Sequence, residues 1–168
     1  MTLLVVFSGL PGTGKTTVAR ELAARRSALY LRIDAIEQAI KNAGSMQIGP
    51  AGYAVANAVA EANLRLGQDV VADCVDPVRE SREGWRGVAE RAAAKLVNIM
   101  LVCSDTAEHR RRVERRVGDI PGLALPDWNA VTIRHFEPRE DAHLRLDSAV
   151  LSPAMLVERC QTYIADRP

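Results

Sequence analysis

A chain of 168 residues, 48% hydrophobic and 26% charged, is long enough for one compact core and gives no reason to expect two. No apolar run reaches the length of about 18 residues needed to cross a bilayer, so a soluble protein is expected. A formal net charge of +1 gives no general attraction to a polyanion, so nucleic acid is not an expected partner.

Apolar runs alternate with helix-like stretches along the whole length, the pattern of an α/β fold with a mostly parallel sheet. LLVVFS (3–8) lacks alternation and reads as a strand buried on both faces, followed by a helix over 15–26. ALYLRI (28–33) is a second strand. The helix after it, 34–43, has Asp34 in the position of its cap. An Ala-rich helix over 53–67 stops at Gly67, and DVVADCV (69–75) is the third strand. A helix over 81–96 and a buried strand over 97–103 come next.

The stretch 104–118 opens with a candidate capping box, Asp105 with Glu108, and closes at Gly118. Pro121, Gly122 and Pro126 discourage regular structure in the segment that follows, which is the expected mobile element. A helix over 128–137, a strand over 142–149 and a helix over 153–166 complete the chain, the last with Pro153 at its start. Cys74, Cys103 and Cys160 are odd in number and lack metal-site spacing, which suits reduced thiols in a cytoplasm; the N-terminal apolar run lacks the features of a secretion signal.

Gly9, Gly14, Lys15 and Thr16 satisfy G-x-x-x-x-G-K-[ST] in the required setting, a buried strand before and a helix after. Such a loop lets backbone N–H groups and the helix dipole face a phosphate chain. Gly9, Pro11, Gly12, Thr13, Gly14, Lys15, Thr16 and Thr17 are therefore the expected nucleotide-binding residues, with Lys15 on the β and γ phosphates. The Thr16 hydroxyl would hold a Mg²⁺ that arrives with the nucleotide. No N-K-x-D guanine-reading motif is present.

GLPGTGKTT, LRIDAI and VVADCV together resemble the small P-loop kinases, the group of chloramphenicol phosphotransferase, gluconate and shikimate kinases and the kinase domain of polynucleotide kinase. The resemblance runs from Leu3 to about Ala149. It implies an adenylate-kinase-like α/β/α sandwich around a five-stranded parallel sheet, ATP as donor, and a single kinase domain over 1–168 with a short lid near 118–127. It also implies that Asp34, after the second strand, is the general base that takes the acceptor hydroxyl's proton; the residue type equally suits a helix cap, and one carboxylate can serve both. Asp73 ends the third strand, where P-loop proteins commonly carry an acid for Mg²⁺, and Asp76 lies close enough to share the task, although a solvent-facing loop position suits Asp76 as well. Arg79 and Arg82, just beyond, could point into the acceptor site, and surface exposure is the safer reading of each.

HRRRVERR (109–116) puts Arg112 and Arg116 four residues apart on one helix face, with Arg115 just off it. A solvated basic face accounts for some of these arginines. By the resemblance, Arg112 and Arg116 close over the transferred phosphoryl, a task for which a planar guanidinium is suited. Two departures from better-known relatives argue against a shikimate or nucleoside-monophosphate acceptor: Arg32 stands where a second aspartate would make D-x-D, and the lid is short and free of cysteine. Tyr53, Met46 and Gln47 fall in the acceptor region and suit either substrate contact or packing. His109, His135 and His143 read as surface or half-buried, and Trp85 and Trp128 as packing residues. The expected activity is an ATP- and Mg²⁺-dependent kinase acting on the hydroxyl of a small molecule. The alternatives are a 5′-hydroxyl polynucleotide kinase and a regulatory nucleotide-binding ATPase.

Overall fold

The computed structural model describes residues 1–44 and 47–166. Its centre is a five-stranded sheet in the order β2-β3-β1-β4-β5, parallel throughout: β1 (Leu3–Ser8), β2 (Leu29–Arg32), β3 (Val70–Asp73), β4 (Lys95–Val102) and β5 (Leu144–Asp147). β1 lies in the middle with all six residues buried, as its unbroken apolar run requires. Its register sets Phe7 beside Asp73 on one flank and beside Ile99 on the other.

The two faces of the sheet are covered separately. Leu3, Val5 and Phe7 pack with α1 (Lys15–Arg26) and α7 (Pro153–Ala165), through Val18, Leu22, Leu156 and Cys160. Leu4 and Val6 face α3 (Ala51–Arg65) and α4 (Arg79–Arg91), through Ala60, Leu64, Trp85 and Val88. The result is the expected three-layer α/β/α sandwich, and every connection leaves the carboxyl ends of the strands at one edge, where open α/β sheets bind ligands.

Several boundaries differ from the sequence expectation. α2 (Ile33–Asn42) follows β2 without a spacer, so Arg32 is its N-cap and Asp34 sits inside the first turn. Asp34 is therefore not the cap; its carboxylate still benefits from the positive end of the helix. α5 (Thr106–Arg115) ends three residues before Gly118, with Arg116 extended. Only half of the capping box forms: Asp105 accepts the Glu108 N–H at 3.0 Å, while the Glu108 carboxylate is taken by Arg111 and Arg112.

α6 (Trp128–Thr132) is five residues long, half the expected span. The chain beyond it is drawn out of helix by tertiary bonds: Glu137 N–H donates to Pro77 O at 2.9 Å, and Arg82 donates to the carbonyls of Glu137 and Pro138. Arg82 is accordingly buried, contrary to its expected surface position, while Arg79 is exposed.

Candidate functional site

The glycines of GLPGTGKTT shape the loop between β1 and α1. Gly9, at φ 134°, passes so close to β4 that a Cβ would lie 2.2 Å from Leu101 O. Gly12, at φ 85°, rests on α5, where a Cβ would meet Val113 Cγ2 at 2.6 Å and His109 Cδ2 at 3.2 Å. Gly14 opens α1, and the space where its side chain would stand is empty to 4 Å, which leaves the first N–H groups of the helix accessible to an anion.

Inside the loop, Lys15 donates from Nζ to Leu10 O at 2.8 Å, and the Thr13 hydroxyl donates to the same carbonyl at 2.9 Å. Burial pulls the Lys15 pKa down, against the fields of Asp73 and Asp34, which raise it. Among the described residues the buried ammonium's hydrogen bond goes to a carbonyl and not to a carboxylate, so an anion in the loop would compensate it further.

Thr16 Oγ1 donates to Asp73 Oδ2 at 2.7 Å, and Tyr30 OH donates to the same oxygen at 2.8 Å. β-Strand alternation places Tyr30 and Arg32 on the α1 side of β2, with Arg32 Nε 3.9 Å from Asp73 Oδ2. Asp73 thus has the position expected for a metal-site acid. Asp76 does not share it: its side chain is fully buried, salt-bridged to Arg139 at 2.5 Å and bonded by Ser81 at 2.7 Å. That buried pair joins the loop after β3 to residues 137–141, and Val75 of the same loop accepts the Gly9 N–H.

The strand ends, α2 and the segment after α5 enclose a cleft of about 860 Å³. Lys15, Thr16, Asp34 and Asp73 all line it, as do Arg112, Arg115 and Arg116. Asp34 is half-buried on its wall. Glu37, one turn along α2, faces the same space; burial and the Asp34 charge raise its pKa, while Lys41 and Arg134 hold it down.

The two expected arginines have different surroundings. Arg112 is fully engaged, to Glu108 Oε1 at 2.6 Å and to Ser148 Oγ and O at 2.8 and 3.0 Å. It separates the cleft from a hollow of about 500 Å³ beside Gly14 and Thr17, bounded by Ser148, Val150 and Leu156. Arg116 is half-buried and close enough to Lys15 to oppose its charge.

Beyond Arg116 the chain crosses the cleft mouth. Asp119 bonds Arg32 Nη1 at 2.8 Å and Arg20 Nη2 at 3.0 Å, and Gly122 lies against Gln38 of α2. The two guanidiniums hold the Asp119 carboxyl well below the usual carboxylate range, Arg32 first.

Sequence reasoning passed over His109. Its side chain is buried, 7% exposed, and Nε2 lies 2.7 Å from Pro11 O. Tyr53 is a packing residue: it stands edge-on to Trp85 and its hydroxyl accepts the Asp76 N–H. Met46 lies outside the described residues.

Comparison with known structures gives matches over nearly the whole chain. A Chloroflexus aurantiacus protein provisionally called a kinase is 18% identical, with a TM-score of 0.78 over 99% of this chain and 98% of its own. A sugar kinase from Janibacter sp. HTCC2649 is 20% identical, TM-score 0.73, over 100% and 97%. The Mycobacterium tuberculosis APS kinase CysC, in complex with AMPPNP and APS, is 22% identical, TM-score 0.69, over 98% and 96%. The fold is therefore that of the small P-loop kinases. No curated protein matches in sequence. Residues 4–131 match the AAA_33 family, described as an AAA domain, and the chain belongs to that family.

Proposed function

We propose that the chain is an ATP- and Mg²⁺-dependent kinase that phosphorylates the hydroxyl of a small molecule, with Asp34 as general base. The observation that carries this reading is that Asp34 and Lys15 line one cleft, near enough for the carboxylate to raise the ammonium's pKa. The kinase names of the structural relatives and the AMPPNP held by one of them support it.

The residues suit a metal delivered with the nucleotide. Thr16 and Asp73 already meet at 2.7 Å, and among the described residues no group of three His, Cys, Asp or Glu side chains forms a separate cage. When bound, the ion neutralises charge across the β and γ phosphates. Lys15 and Arg116 would add fixed positive charge at the same end of the cleft. The hollow beside Arg112 would take the nucleoside, and residues 118–127 would act as the lid of a single kinase domain. Asp34 accepts the acceptor's hydroxyl proton as that oxygen bonds to the γ-phosphorus and the bond to the leaving ADP oxygen breaks. No aromatic side chain lines the cleft among the described residues, so a nucleic acid strand would find no stacking platform there.

A screen of hydroxylated metabolites and antibiotics for acceptor-dependent ADP release tests the reading. Asp34→Asn should keep Mg·ATP affinity and lose transfer by about 10²- to 10⁴-fold. An Asp34→Asn protein that transfers phosphate at the parent rate would refute the assignment.

A further inference from the structure

We propose that His109 is a positioning residue that holds the phosphate loop in its anion-binding shape and couples it to the segment over the cleft. Pro11 O can only accept a hydrogen bond, so the 2.7 Å contact requires the proton on His109 Nε2 and fixes the imidazole tautomer. The ring also fills the space beside Gly12, with Val113 next to it. The loop's turn is therefore held at two adjacent residues, by a hydrogen bond at Pro11 and by packing at Gly12.

The ring also meets Trp128, with centroids 5.2 Å apart and planes at 81°. Trp128 opens α6, where the segment crossing the cleft returns to the body of the protein. His109 and Arg112 are three residues apart on α5, so the helix face that grips the loop also carries a cleft arginine, and Arg116 follows directly at the helix end. One side chain thus contacts the loop and the far end of the covering segment. A change in the loop on nucleotide binding displaces the Pro11 carbonyl, the imidazole and the indole together.

The inference rests on the loop being a nucleotide site, and Mg·ADP is the probe. Trp85 is fully buried in the core against α3, so a Mg·ADP-dependent emission change should come from Trp128 and vanish in Trp128→Phe. His109→Met keeps bulk and removes the donor; it should bind Mg·ADP roughly tenfold more weakly and lose the emission change. His109→Gln carries an Nε2–H of its own and should recover most of both, with melting temperatures of the two variants alike. A purely structural histidine would not distinguish Gln from Met in this way.

In the unsubstituted protein, ¹⁵N spectra of the imidazole should show the Nε2–H tautomer, with its resonance shifting on Mg·ADP addition. An Nδ1–H tautomer, or a His109→Met protein with parental affinity and emission response, overturns the proposal. If the parent itself does not bind Mg·ADP, the nucleotide reading fails and the proposal falls with it.

Discussion

Arg139→Met tests the buried ion pair behind the site. The Asp76 and Arg139 side chains are 0% and 1% exposed, and the carboxylate takes its bonds from Arg139 at 2.5 Å and Ser81 at 2.7 Å. Removing the guanidinium leaves a dry carboxylate with one hydroxyl donor, and breaking such a pair costs about 3–5 kcal/mol. Against a total stability of about 5–15 kcal/mol, this is a large loss, readable as a fall in urea midpoint with little change in slope. Burial already raises the Asp76 pKa despite Arg139, and without Arg139 it should rise further. A carboxyl whose folded pKa is raised contributes stability that is full below its unfolded pKa, about 3.9, and is lost as pH rises through the folded value. The variant's deficit should therefore widen as pH rises from acid through neutrality and narrow in acid. Adding Asp76→Asn should recover at least half of it. A loss below about 1 kcal/mol at pH 7, or a deficit that shrinks as pH rises, would refute the argument.

Two further outcomes concern the cleft. Asp119→Asn removes the charge that joins the covering segment to Arg20 and Arg32; because Asp119 is 46% exposed, stability should change by less than about 1 kcal/mol, while release of a fluorescent ADP followed by stopped flow should quicken several-fold, and an unchanged rate would count against a latch. Arg112→Gln and Arg116→Gln should separate in steady-state ADP-release assays: the first loses its Ser148 bonds and should mainly raise KM for ATP, the second should lower kcat by roughly 10³-fold, and a reversed pattern would exchange their roles.

What the sequence made legible is what is local. β1 and α1 are continuous runs whose own residues dictate them, and GLPGTGKTT carries its backbone requirements within nine positions, so its conformation could be read without knowing the neighbours. The bonds that set the site are long-range and have no period. Arg139 lies 63 residues from Asp76, Asp119 lies 87 from Arg32, and His109 lies 98 from Pro11. The capping rule misjudged Asp34 because β2 passes directly into α2, where continuity of the chain outweighs a cap worth about 1 kcal/mol. His109 was the recoverable omission. Counting back from Arg116 and Arg112 at helical spacing leads to it on the face that had already been assigned to the phosphates. A histidine on that face has a donor to offer the loop's backbone, whereas one on the opposite face would meet only water.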